Sequence, residues 1–363
     1  MKIKLKNTPE QVELVKAMGS RDTAVAREAS EAFAAFIGPV VSKVLMQAGT
    51  ASAVYNDAPY DQDDNPSLPL DLWHDQGGQD YVTVWSQNVA GGLPSSAVEG
   101  FSELKISTYS LDAAVSFLKR YARRGRIDVV SKAVERMSNE VLVKQERNAW
   151  AVVLKALAEA RTPGTGSAAL VSNGHIVGSD SGASQTFALS DLSKLMTLVK
   201  RLNTSSAGGT TSDAYGLTDL FVSPEVKGDI RAFAYQPFTT GGGTNLPDAA
   251  REEIYRNAGA QELYGVTIHE LVELGVNAKY SALFNAFKGN YNFNSNADEL
   301  AVGFDLSREG FIRPIARNSD TGSTFSVLPD DQFATRNEKT GFYGSLEEGR
   351  VCIDARTVVG IKI

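Results

Sequence analysis

Residues 126–160 read RIDVVSKAVERMSNEVLVKQERNAWAVVLKALAEA, with neither proline nor glycine to interrupt them. At roughly 1.5 Å of rise per residue, a helix over the whole stretch reaches on the order of 50 Å, longer than most helices of single domains. Ile127, Val130, Val134, Met137 and Val141 recur at helical spacing and form a narrow apolar seam. Asp128/Lys132 and Glu140/Lys144 stand four residues apart in the favourable orientation. After the polar run KQERN the apolar surface broadens through Trp150, Val152, Val153, Leu154 and Leu157. The pattern predicts one helix that packs a sheet at one end and presents its polar middle to solvent or to neighbouring chains. The other reading is two ordinary helices joined near Lys144 to Asn148.

Working outward, the 363 residues are 42% hydrophobic and 22% charged, which permits a substantial core and more than one domain. A formal charge of -7 argues against a protein whose main task is to coat nucleic acid, so any polynucleotide contact must come from a local patch. The single cysteine, Cys352, excludes an intrachain disulfide framework and a thiolate-rich metal site, and points to a reducing, cytoplasmic setting. The N-terminal MKIKLKNTPEQ has lysines but no apolar stretch behind them, and no run approaches the length of a membrane span. A soluble chain, not exported by a signal peptide, is expected.

Before the long helix, Thr8 to Gln47 reads as a helical arm. Pro9 suits a helix start, Gly19-Ser20 breaks it, and Val25, Ala29, Ala32, Phe33, Phe36 and Val40 recur at helical spacing. Gly38-Pro39 is expected to kink or split the second helix. NDAPYDQDDNPSLPLDL, from Asn56, lacks any period and reads as an extended linker. Residues 79–86 (QDYVTVWS) and 103–109 (ELKISTY) alternate as strands do, which predicts a long hairpin with a projecting loop. Ser110 is expected to cap a helix running to Arg124. Beyond RTPGTG the chain reads as mixed: a helix near Ser190 to Asn203, a strand at Asp219 to Ser223, a helix started by Pro224, then mainly strands and turns at 265–274, 299–306 and 350–363. Neither a fixed repeat nor a regular alternation of strand and helix is present, which disfavours solenoids, propellers and doubly wound folds.

The chemical motifs are weak. In IHELVEL, His269-Glu270 begins the zinc-peptidase pattern, but Glu273 stands where the second histidine belongs. If the segment is a strand between Gly265 and Gly275, His269 and Glu270 fall on opposite faces. GTGSAA at 164–169 has the spacing of a dinucleotide loop but follows a helix, and GGGTNLPDAAREE lacks the Gly-Lys-Ser/Thr ending of a phosphate loop. Both read as surface turns. His74, His175 and His269 lie in unrelated contexts, and no serine is singled out as a nucleophile. DQDD at 61–64 lacks the ordered ligands of a calcium loop. KRYARRGR, with Lys119, Arg120, Arg123 and Arg124 ahead of Gly125, has two readings: a nucleic-acid contact assisted by Tyr121, or cations complementing the end of a helix dipole. No catalytic, cofactor-binding or metal-binding residue is assigned, and no cofactor is expected.

In its order of parts, the sequence resembles the major capsid proteins of tailed bacteriophages with the HK97-type fold. The arm at 8–47 is similar to the family's N-terminal arm, the hairpin from about 70 to 109 to its extended loop, and the long helix to its spine. DLFVSPEVKGDIRAFA, from Asp219, is similar to a strand-to-helix passage of the axial domain, and GRVCIDARTVVGIKI, from Gly349, to a closing strand of the peripheral domain. The resemblance implies an α+β HK97-like capsid fold divided as follows: arm and linker at 1–66, extended loop at 67–109, peripheral domain with the spine at 110–162, mainly axial domain at 163–320, and a return to the peripheral domain at 321–363. It implies self-assembly into hexamers and pentamers of an icosahedral head around double-stranded DNA, touched nonspecifically, in a virion capsid assembled in the host cytoplasm. Scaffolding, portal and decoration proteins are the further partners it implies, with no membrane. Some relatives crosslink through a lysine of the extended loop; no lysine lies between Asp71 and Glu103, so noncovalent assembly is expected from it. Two rivals stand beside this reading: an encapsulin-like nanocompartment shell, and a metal-dependent hydrolase using His269 and Glu270.

Overall fold

The structure is a computed structural model that describes residues 8–47, 49–61, 64–69, 103–160, 174–179, 186–202, 216–233, 252, 262–289, 291–318, 323–330 and 338–363. The long stretch is one uninterrupted helix, α4 (Ile127–Glu159). It follows α1 (Pro9–Met18), α2 (Thr23–Gln47) and the short α3 (Lys119–Arg123); α5 (Leu189–Leu202), α6 (Pro224–Ala232) and α7 (Lys279–Phe287) come after it. The chain divides into two compact units: 1–148 with 312–353, and 149–311 with 354–363.

The first unit is built on a sheet whose centre is β12 (Lys339–Glu348), paired over its whole length with antiparallel β4 (Tyr109–Leu118). The other edge of β12 meets β11 (Ser326–Asp330) and then β10 (Phe311–Arg317), which pairs in parallel with β1 (Asn56–Asp61) and also takes β13 (Val351–Cys352). Phe117, Phe342 and Leu346 face a core completed by Phe33, Ile37 and Val41 of α2 and by Ile127, Val130, Val134, Met137 and Val141 of α4. The narrow seam read from the sequence is therefore the packing face of the first part of α4.

The second unit holds the sheet β5–β14–β9–β6–β8–β7, made of Ile176–Gly178, Val358–Lys362, Leu300–Phe304, Asp219–Val222, Val266–Glu270 and Glu262–Leu263. One face packs Leu220, Val222, Val266, Ile268 and Ile361 against Leu192, Leu195 and Val199 of α5 and Val226 and Ile230 of α6. Ser223 caps α6, its hydroxyl accepting from the Val226 amide at 3.1 Å, and Pro224 occupies the first turn, as the sequence predicts. Phe221 and Phe304 belong to an aromatic cluster around Trp150 of α4, with ring centroids 5.1 and 6.2 Å away. Gly360 permits the close approach of the same helix, because a Cβ there would lie 3.0 Å from the Leu157 side chain.

Several expectations are corrected. The segment from Ser110 is not a capped helix but strand β4, and only Lys119–Arg123 is helical. Its Leu111, Ala113, Val115 and Phe117 alternate with period two, and ten residues of pairing with β12 outweigh the modest helix propensity. The linker at 56–72 contains β1, an edge strand that accommodates Pro59, and β2 (Ser67–Pro69). β2 pairs antiparallel with β3 (Glu103–Lys105); the expected hairpin between them, including 79–86, lies outside the described residues. α2 runs unbroken through Gly38-Pro39. Its buried face carries Ala26, Ala29, Phe33, Ala34, Ile37 and Val41, while Val25, Phe36 and Val40 are exposed. Within 321–363, residues up to 353 lie in the first unit, and β14 lies in the second unit's sheet.

Candidate functional site

His269 and Glu270 sit on β8, where alternation sends them to opposite faces. His269 Nε2 lies 2.7 Å from Asp219 Oδ1, and its ring stacks on Phe221 at 4.7 Å between centroids. Glu270 pairs with Lys227 of α6 at 3.1 Å. The sequence neighbours thus serve two separate contacts, and the zinc-peptidase arrangement is not assembled. Among the described residues no group of three His, Cys, Asp or Glu side chains could hold a metal ion. His175 is buried with Nδ1 2.9 Å from the Val358 carbonyl, and burial lowers its pKa, so the imidazole is held neutral. His74, the glycine runs at 164–169 and 241–243, and two residues of DQDD lie outside the described residues. A hydroxyl-rich cavity of about 50 Å³, lined by Ser110, Ser323, Ser326, Ser345 and Glu347 among others, has room for a few waters and falls far short of a small-molecule pocket.

The most concentrated electrostatic site in the first unit was not legible in the sequence. Glu348, at the end of β12, has a side chain 0% exposed, yet it faces two arginines that are each only 4% exposed. Arg313 Nε of β10 lies 3.0 Å from Oε2, and Arg350 Nη2, just beyond the strand, lies 3.2 Å from the same atom. Gln145 of α4 donates to Oε2 at 3.1 Å, and the Tyr109 hydroxyl of β4 donates to Oε1 at 2.8 Å. Asp57 of β1 supplies a second carboxylate, 3.5 Å from Arg313 Nη1. The Arg350 guanidinium also lies over the Tyr55 ring, 4.7 Å from its centroid.

The surroundings shift the neighbours in consistent directions. Burial, reinforced by the Glu348 charge, pushes Tyr109 up to about 12, and burial raises Tyr55 further. For Arg350, burial works to lower the pKa, but Glu348 and the two phenols outweigh it and leave the value raised. The expected solvent-facing KQERN run is therefore half internal: Gln145 reaches Glu348, and Glu146 accepts from the Thr50 hydroxyl at 2.9 Å and the Ala51 amide at 3.2 Å. The available clue was Arg313, set among the apolar residues of FIRPIA at 311–316. The side chains of this knot engage one another and so tie β1, β4, β10, β12 and α4 together in one register.

The basic run is divided by the structure. Arg123 Nε donates to the Gly19 carbonyl at the end of α1 at 2.8 Å, and Arg120 lies over the Tyr121 ring at 5.2 Å. Arg120, Arg123, Arg124 and Arg126 are all exposed.

No family model matches the sequence, and no curated protein matches it either. Solved structures do match. The capsid of cyanophage P-SCSP1u superposes with a TM-score of 0.50 at 13% identity, over 86% of this chain and 88% of that one. The chain has the HK97-type capsid fold. The cyanophage Pam1 capsid asymmetric unit (TM-score 0.49, 14% identity, 85% and 88% covered) and the capsid of a native GTA particle (0.49, 15%, 87% and 91%) are further matches.

Proposed function

We propose that this chain is the structural major capsid protein of a tailed phage, assembling into the hexamers and pentamers of an icosahedral head that encloses double-stranded DNA. The observation that carries the reading is the shared HK97-type fold over 86% of the chain and 88% of a phage capsid subunit. The separate placements of His269 and Glu270 support this reading over a hydrolase that uses the two together. The first unit is assigned as the peripheral domain, because it holds the arm helices, the paired bases β2 and β3 of the extended loop and the start of the spine; the second is assigned as the axial domain. Shell closure multiplies many modest contacts through symmetry, so no single strong site is required. The virion capsid is its location, reached by assembly in the host cytoplasm, with scaffolding, portal and decoration proteins as further partners.

Size-exclusion chromatography with negative-stain electron microscopy of the purified protein tests this. Closed shells, or capsomers that close when other head proteins are added, are expected. Monomers and small oligomers alone, even with those proteins present, would overturn it, and shells that enclose a protein cargo and no DNA would favour the nanocompartment. Mass spectrometry of the shells should find no isopeptide bond from residues 71–103, which contain no lysine.

A further inference from the structure

Among the described residues, KRYARRGR is a motif that the fold leaves largely at the surface. As the end of a long helix it would complement a dipole, but α3 is a five-residue helix, too short to require four cations. Arg123 is accounted for by the α1 carbonyl it caps. Arg120, Arg124 and Arg126 remain, together with Lys16 of α1, all exposed. Gly125, at φ +63, turns the chain between α3 and α4, and a Cβ there would meet Lys16 Cε at 3.1 Å, so the glycine keeps the two segments close. Arg126 has Asp128 3.7 Å away, but with side chains 62% and 60% exposed this pair is a weak, screened contact. In a chain of net charge -7, these cations form a local reversal of sign.

We propose that the surface formed by the end of α1, α3 and the start of α4 binds the phosphate backbone of double-stranded DNA without sequence preference; that the polyanion is duplex DNA rests on the shell reading above. Guanidinium forks match phosphate oxygens in pairs, and the three exposed arginines stand within a single turn and its flanks. A docking face for a second copy would need a desolvated apolar centre. The exposed large apolar side chains among the described residues, such as Phe36, Val143 and Leu328, lie outside this patch.

The test measures fluorescence anisotropy of a random-sequence duplex of about 30 base pairs with the full chain, at salt from about 50 to 200 mM. The combined variant Arg120→Gln/Arg124→Gln/Arg126→Gln should bind about tenfold more weakly at low salt, and its log–log salt slope should shrink by up to about 3, roughly 0.9 for each phosphate no longer neutralised. The corresponding triple Arg→Lys variant should keep the slope. Arg27→Gln/Lys155→Gln/Lys279→Gln, which removes equal charge from exposed positions elsewhere, should bind like the parent. Circular dichroism melting confirms folding of each variant, and the Lys variant carries the test should the Gln variant fail to fold, since a collapsed slope there would refute the charge account. An unchanged slope in the Gln variant, or equal weakening in the control, would overturn the proposal. So would intact DNA binding with abolished self-assembly, which would make the patch an interface between copies. Shell formation by the parent chain, read in the same preparations, is scored separately: parent shells with unchanged DNA binding in the Gln variant sink the patch alone, whereas a parent chain that binds DNA but never forms shells sinks the capsid reading.

Discussion

In the first unit, segments far apart in the chain converge on one buried carboxylate, Glu348; in the second, a comparable convergence is made by aromatic rings around Trp150, with Phe221 at 5.1 Å, Tyr280 at 5.8 Å and Phe304 at 6.2 Å. The contrast is between directional and adaptable interactions. A carboxylate held by Arg313, Arg350, Gln145 and Tyr109 accepts few geometries, so it fixes strand register, and its worth depends on every partner being present. Aromatic packing is driven by area and tolerates small displacements, so removing one ring leaves a cavity without stranding a charge.

The largest effect should come from Met137→Pro, in the core-facing seam of α4. It removes a helix hydrogen bond and a buried side chain at once, so stability should fall by more than about 3 kcal/mol and shells should be absent by electron microscopy. An ordinary surface helix would tolerate such a break with its neighbours intact. Glu348→Gln strikes the knot itself by leaving two buried guanidinium groups without their carboxylate. A loss of about 3–5 kcal/mol is expected in denaturant titration, with hydrogen exchange rising first in the first unit. If the loss were under about 1 kcal/mol, Asp57 and water would be compensating and the directional account would be wrong.

Trp150→Ala should cost about 3–5 kcal/mol through reduced burial and cavity formation, with exchange rising in the second unit's sheet. The milder Trp150→Phe should recover most of it, whereas no neutral replacement of Glu348 should do the same. Tyr109→Phe is smaller, about 1.5–3 kcal/mol at neutral pH, since it removes a hydrogen bond to a charged acceptor. It also carries a pH signature. Below about pH 10 the phenol is protonated in both states; between about 10 and 12 only the unfolded chain ionises, so the parent loses stability as pH rises through that window and the variant loses less.

The smallest effect is expected in the second unit. Burial, with Glu225 and Asp229 nearby, raises the Glu299 pKa above its usual 4.5 despite the Ser223 hydroxyl that donates to it. Both states are protonated below about pH 4.5; as pH rises, the unfolded chain ionises first and folding is progressively disfavoured through the raised folded value. Glu299→Gln should therefore flatten the melting profile upward of about pH 4.5 and leave stability above the raised folded value equal or higher. A steeper profile in the variant would show that the carboxylate is stabilising.

The spine was legible because an uninterrupted helical period over many residues has one cheap solution, and its seam from Ile127 to Val141 is buried as read. The start of α6 was equally plain, since Ser223-Pro224 encodes its cap locally. β4 carries a period-two pattern, but Ser110 gives a competing local helix signal and the deciding partner, β12, lies more than two hundred residues away in sequence. In α2 the composition could not choose between two apolar stripes; packing on Phe342 and β11 buries the one containing Phe33 and leaves Phe36 exposed.

By itself the sequence determined the long helix, the local caps and turns, and the sign and place of the basic run, because each depends on residues within one or two turns of one another. Only the tertiary structure decided that Glu348 is buried between two arginines, that His269 and Glu270 part company, that the last strand joins the second unit's sheet, and that Arg123 is tied to α1 while Arg120, Arg124 and Arg126 are not. These facts are set by strand register and packing between distant segments, and a charge or an imidazole carries no mark in its own neighbourhood of the partner that long-range pairing will bring to it.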